Sequence, residues 1–116
     1  MTLLSRESIL KKADLSYENV DVPEWGGTVR VQELSGKQRE EYELSMLVDG
    51  EYQSTDFKIK LLSRSLVDEG GDLLFNSDDI EKLSGKSSIV VNRLFDVANK
   101  LSHISVETLE EAEKNS

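Results

Sequence analysis

The chain of 116 residues contains no cysteine, one histidine and one proline, and its hydrophobic runs are short. Without cysteine it cannot form a disulfide or a thiolate metal site, and a single histidine cannot supply a paired-histidine metal set. Apolar runs such as residues 89–91 fall far short of the roughly 20 residues that span a bilayer. Charged residues between positions 6 and 12 interrupt any signal-peptide core. We therefore expect no membrane partner and no export.

Basic residues are outnumbered by acidic ones. The sequence has 14 of them against 23 acidic residues, a net charge of −9, and a pI near 4.6. Such a surface repels phosphate at neutral pH, so nucleic acid is excluded as an expected partner. Six acids and no base lie between Asp68 and Glu81. A charge run of this kind usually forms a solvated face, and a binding site for a basic partner is the alternative.

Two motifs suggest chemistry but fail on spacing. Residues 84–87 end like a phosphate-binding loop, yet Ile80 stands where that loop needs its first glycine. Residues 68–79 superficially suggest a calcium loop, but Gly70 and Leu73 stand where an oxygen ligand and a glycine are required. We expect no enzyme, no catalytic residues, no cofactor and no metal.

Alternating apolar and polar residues predict strands over 15–22 and 28–34. Residues 23–27, with a proline and two glycines, form a turn between them, because proline cannot donate to a sheet and glycine permits positive φ. The two strands should therefore form an antiparallel hairpin.

The rest of the chain has helical signals. Ser35 and Gln38 form a capping box that opens a helix ending near Val48, and apolar residues spaced by three and four predict the longest helix over 87–103. Ile89 is expected to broaden the apolar face of that helix. Further helices are predicted at residues 5–13, 55–67, 76–83 and 105–114. The prediction is an α+β, mainly helical single domain over residues 1–116, with an N-terminal antiparallel β-hairpin packed on about four helices and 105–116 as a weakly docked acidic helix or tail.

Trp25, the only tryptophan, lies in the proline and glycine turn. A lone tryptophan is most often a core residue, but large aromatic residues on rigid turns also anchor interfaces. Candidate partner-binding residues are Trp25, Tyr42 and Met46, together with the acids Glu107, Glu110 and Glu111 of the C-terminal segment.

Several segments in order resemble the tail assembly chaperones of long-tailed, lambda-like bacteriophages. The segments are residues 23–31 (PEWGGTVRV), 34–36 (LSG), 66–71 (LVDEGG), 74–75 (LF), 94–98 (LFDVA) and 101–102 (LS). Their order and spacing, over about residues 14–115, carry the resemblance.

The resemblance implies a non-enzymatic protein of the bacterial host cytoplasm that is absent from the mature virion. Such chaperones bind and solubilise the tape measure protein, help the tail tube protein polymerise around it, and are expected to self-associate. The resemblance further implies that a longer, frameshifted form recruits the tube protein, and residues 113–115 (EKN) can be encoded by the repeated bases on which ribosomes slip.

Two other classes stay open at this level. One is a small acidic binding module, similar to an antitoxin or inhibitor, which requires the acids of 68–81 to form one ordered stripe. The other is a structural head-tail connector of the virion.

Overall fold

A three-stranded antiparallel sheet packed against helices forms the centre of the protein, in a computed structural model that describes residues 2–53 and 55–104. The elements within these ranges are α1 (Arg6–Lys11), β1 (Tyr17–Val22), β2 (Gly27–Gln32), α2 (Gly36–Leu44), β3 (Leu47–Val48), β4 (Glu51–Tyr52), α3 (Phe57–Ser65), β5 (Leu66–Val67), α4 (Ile80–Ser84) and α5 (Ser88–Ser102). This mixture of helix and strand confirms the predicted α+β class.

Strands β1 and β2 form the predicted antiparallel hairpin, in a register that runs from Tyr17 opposite Gln32 to Val22 opposite Gly27. The predicted first strand began two residues too early and the predicted second strand ended two residues too late, although the Glu33 amide extends the ladder by donating to the Ser16 carbonyl at 2.8 Å. Side chains alternate between the faces of the sheet. Val31 is therefore buried, while its neighbour Arg30 lies on the outer face.

The third strand, β5, was not predicted. The sequence indicated one helix over residues 55–67, but α3 ends at Ser65, and Leu66 and Val67 pair with Val31 and Arg30 of β2. Leu66 has extended backbone angles. The two residues gain ladder hydrogen bonds and burial against the hairpin, and this tertiary pairing outweighs helix propensity.

Helix α2 begins as predicted at the Ser35–Gln38 capping box, in which each side chain accepts from the other residue's amide. The predicted end at Val48 was wrong, because α2 ends at Leu44. Residues 47–52 instead form the small β3–β4 hairpin. Asp49 and Gly50 both have positive φ, which suits the tight turn that joins two antiparallel strands.

Helix α5 crosses the domain and packs against β1, β2 and α3. Its residues Val90, Leu94 and Ala98 are fully buried and lie at the centre of the hydrophobic core. The prediction of a main core helix is confirmed, with one correction: Ile89 is 69% exposed and does not join the packed face. Before α5, Asn76 caps a short 3-10 turn that continues into α4, near the predicted helix over 76–83.

The N-terminal segment precedes the hairpin and is not packed into the domain. Ser5 caps α1 as predicted, its hydroxyl accepting from the Ser8 amide at 3.2 Å, but the helix is shorter than residues 5–13. Every residue of 2–14 is exposed. The predicted helix at 105–114 lies outside the described residues.

Candidate partner-binding surface around Trp25

Trp25 ends a short 3-10 turn, Pro23–Trp25, that joins β1 to β2. Pro23 sets its own φ at the first position of the turn. Gly26 follows with a left-handed φ of 77°. Glycine adopts this φ without strain, whereas most other residues would be strained by it. The indole is 38% exposed, so it is neither a full core residue nor free in solvent.

An ion pair ties this turn to α5. The Arg93 guanidinium donates from Nη1 to Glu24 Oε1 at 2.8 Å and from Nη2 to Glu24 Oε2 at 2.6 Å. Two parallel bonds of this kind fix orientation as well as distance. The hydrogen bond from Arg93 lowers the pKa of Glu24 from 4.5 to about 2. Glu24 stays ionised at neutral pH, and the residue beside Trp25 is held to the helix.

An apolar pocket of about 190 Å³ opens beside the indole. It is lined by Trp25, Phe75, Lys82, Leu83 and Lys86, and these five residues are called the Trp25 surface below. Leu83 is buried and Phe75 is half-buried, while both lysines are exposed. The pocket can take an apolar side chain, and the lysine stems add to its apolar wall while their charges remain in water.

Ile89 is an exposed apolar residue of α5. It is one helical turn before Arg93 on α5, so the two side chains share a face of the helix. Arg93 bonds to Glu24, the residue before Trp25, while Ile89 itself is 69% exposed. An exposed apolar side chain by itself is common on protein surfaces, so Ile89 is not included in the Trp25 surface.

The charge of the Trp25 surface is opposite to that of the chain. Lys82 and Lys86 lie at its edge in a protein of net charge −9. Over residues 2–53 and 55–104, neither ammonium forms an ion pair. An apolar group flanked by carboxylates is the chemistry that complements such a site.

The other candidate residues have different placements. Tyr42 and Met46 lie in the core, 1% and 0% exposed, and are not accessible to a partner in the folded domain. Burial raises the pKa of the Tyr42 phenol, whose oxygen has no hydrogen-bond partner within the described ranges. Glu107, Glu110 and Glu111 lie outside those ranges. Of the predicted set, Trp25 alone is placed on a described surface.

Some of the acids in residues 68–81 accept hydrogen bonds from the backbone of their own loops. Asp68 Oδ1 accepts from the amides of Gly70 and Asp72 at 2.9 and 3.0 Å, and Asp79 Oδ2 accepts from the Asn76 amide at 3.0 Å. Two of the six carboxylates therefore stabilise turns, and the six acids do not form one uniform stripe. The exposed remainder are Glu69, Asp72, Asp78 and Glu81.

Comparison with known proteins decides the family. The family model for the phage tail assembly chaperone matches residues 5–115. The chain belongs to the phage tail assembly chaperone family. Among solved structures, the fold is similar to that of the tail assembly chaperone of bacteriophage HK97, with a TM-score of 0.60 and 24% sequence identity. That match covers 82% of this chain and 88% of the other. A search of curated protein sequences finds no match to this chaperone.

The family is non-enzymatic, so this chaperone acts through binding. No helix in the described ranges combines the length and the apolar character needed to cross a bilayer. Sequence reasoning missed Phe75, Lys82 and Lys86 as neighbours of Trp25. Of these, Lys86 had been noted only within residues 84–87, which resemble the end of a phosphate-binding loop, and only the tertiary fold brings the three residues to the indole.

Proposed function

We propose that this chaperone binds and solubilises the tape measure protein during tail assembly and helps the tail tube protein polymerise around it. The supporting observation is the Trp25 surface, which combines an apolar pocket of about 190 Å³ with two lysines on an otherwise acidic protein. An amphipathic helix presents side chains of this kind, with apolar anchors at spacings of three and four beside charged residues.

The acidic remainder of the surface supports the solubilising role. A net charge of −9 on a small domain keeps complexes apart in solution. A long apolar helical partner coated with such domains would acquire their charge. We propose that it acts in the bacterial host cytoplasm and is absent from the mature virion.

The proposed contact with the tail tube protein uses a longer form of the chain. A frameshift within residues 113–115 would append a second domain, and the gene sequence tests this directly. Interrupted codons such as GAG-AAG-AAT, or the lack of an overlapping reading frame, would remove the longer form and leave the proposed tape measure binding intact.

Co-expression tests the central function. The tape measure protein encoded beside this chain should remain in the soluble fraction when both are made together and precipitate when made alone. Equal soluble yields in the two cases would remove the proposed function.

Variants test whether the Trp25 surface is the site. Trp25→Ala and the double change Lys82→Glu/Lys86→Glu should each reduce the soluble yield of the tape measure protein, because one removes the anchor and the other repels carboxylates. The matched control reverses two exposed lysines elsewhere, Lys37→Glu/Lys100→Glu, with the same change in net charge. If the two double variants behave alike, net charge and not this surface governs solubility.

A further inference from the structure

A second apolar pocket, of about 310 Å³, opens where α3, α5 and the loop between α4 and α5 meet, and is called the α3–α5 pocket below. Ile59 and Val91, each 7% exposed, form its floor, and the half-buried Phe57 forms a wall. The Phe57 ring packs edge to face on the buried Phe95 ring, with centroids 5.5 Å apart. Core packing therefore holds the wall in place, and the pocket is ready to take an apolar side chain.

The α3–α5 pocket adjoins the Trp25 surface. Lys86 lines both pockets, so its side chain lies on the boundary between them. The successive residues Leu83 and Ser84 at the end of α4 line one pocket each. The two apolar pockets are therefore neighbours on the surface of the domain.

Lysines outnumber acids around this pair of pockets. Lys58 joins the two lysines of the Trp25 surface there, against one acid, Asp56, which gives a local net charge of +2 in a chain of net charge −9. Lys58 Nζ donates to Asn92 Oδ1 at 2.7 Å, and the other N–H groups of the ammonium can donate to a carboxylate as well. None of the three lysines forms an ion pair within the described residues. The carboxylates of a partner complement this charge.

We propose that the two pockets form one site, which binds two apolar anchors from a single amphipathic helix whose anchors are flanked by aspartate or glutamate. Side chains three or four residues apart lie next to each other on one face of a helix, as the two pockets lie next to each other here. The inference rests on the proposed function, because the helix is taken to be a segment of the tape measure protein. One anchor enters beside Trp25 and the other beside Phe57, while Lys58 and Lys86 bind the flanking carboxylates.

Peptides test the chemistry of the partner. Fluorescein-labelled peptides of about 20 residues, long enough for several helical turns, are tiled along the tape measure protein, and fluorescence anisotropy measures their affinity for the full chain. We expect the peptides that bind to have apolar residues three and four apart beside aspartate or glutamate. Replacing those acids by glutamine should weaken binding by about tenfold, and added salt should weaken it too. An affinity that does not depend on the acids would overturn the proposal.

Ser88→Tyr tests whether the α3–α5 pocket receives an anchor. Ser88 is exposed at the start of α5 and lines this pocket, so a tyrosine ring there competes with the anchor for space. We expect Ser88→Tyr and Trp25→Ala each to weaken binding of the same peptide by about tenfold or more. The matched control is Ser16→Tyr, at an exposed serine ahead of β1, which should bind like the unchanged chain. If only Trp25→Ala weakens binding, the two pockets do not form one site.

Asp56→Asn should strengthen binding, which loss of folding cannot imitate. The change removes the acid of the α3–α5 pocket, and we expect the affinity for an acidic peptide to rise by about two- to fourfold. Asp56 has a positive φ of 59°, which asparagine also adopts readily. Asp49→Asn is the matched control, because Asp49 is exposed and has a φ of 52° in the turn between β3 and β4. Equal affinities of the two variants would show that the charge of this pocket does not select the partner.

Co-expression separates this inference from the proposed function. If the tape measure protein needs the chaperone to stay soluble but no peptide with acidic flanks binds, the proposed function stands and the two-pocket site is rejected. If such a peptide binds as described but solubility does not depend on the chaperone, the site is supported and the solubilising function is rejected. A peptide of residues 105–116 of this chain, which contains four glutamates, is tested alongside. Tighter binding of that peptide than of any tape measure peptide would assign the site to the end of the chain itself and overturn the proposal.

Discussion

Truncation of Leu94 tests the core assignment of α5. The side chain is 0% exposed and lies where α5 meets the sheet and α3. Leu94→Ala removes three carbon groups, whose transfer from water accounts for about 2.4 kcal/mol at roughly 0.8 kcal/mol each. The cavity adds to this loss, so the expected decrease in unfolding free energy is about 3 to 5 kcal/mol.

Urea denaturation followed by circular dichroism measures this loss, and a decrease of about 3 kcal/mol should lower the melting temperature by roughly 10 °C. Ile89→Ala on the same helix is the matched control, because Ile89 is 69% exposed and should change stability by less than about 0.5 kcal/mol. If Leu94→Ala costs less than about 1 kcal/mol, the stripe does not form the core, and the reasoning that assigns it there is refuted.

Three further changes test local features by the same denaturation. Ser102→Ala removes the buried hydroxyl that accepts from the Leu34 amide at 2.9 Å, and a loss of about 1 to 3 kcal/mol is expected from the unpaired donor. Gly50→Ala places a side chain at φ 81° and should cost about 1 to 2 kcal/mol. Glu24→Gln tests how stability depends on pH. The pKa of Glu24 in the folded protein is lowered from 4.5 to about 2. The stability that ionised Glu24 contributes is therefore complete above about pH 5 and is lost as pH falls from 4.5 toward 2. The difference between Glu24→Gln and the unchanged chain should shrink over that range, and a constant difference would refute the Arg93 pairing.

Features encoded by neighbouring residues could be predicted from the sequence. The hairpin follows from alternation and from Pro23 and Gly26, and the start of α2 follows from Ser35 and Gln38. Each depends on chemistry within a few residues. Helix α5 was predictable because its apolar spacing persists over four turns.

Features that depend on distant residues were missed. Strand β5 has two residues, and nothing in Leu66 and Val67 indicates that they pair with β2. Asp49 and Gly50 did contain a hairpin signal, but the helical pattern before them led to its interpretation as a helix end. Tyr42 faces the core, and a short amphipathic stripe does not say whether its apolar face covers a core or a partner.

The candidate site could likewise be predicted only in part from the sequence. Trp25 was identified from its place on a rigid turn, whereas the pocket beside it required the fold, because Lys82 and Lys86 are more than fifty residues away along the chain. The basic character of this surface is hidden in a sequence whose average charge is strongly acidic.

The hairpin register determines which side chains face the helices and which face outward. Val31 points to the face that packs on α5, and Arg30 points to the outer face. At the tip, Glu24 is bound by Arg93 of α5, which holds Trp25 on the helix side. A slip of one residue would turn the outer residues inward and the apolar residues outward. The turn from Pro23 to Gly26, which sets the register, therefore determines which chemistry each face presents.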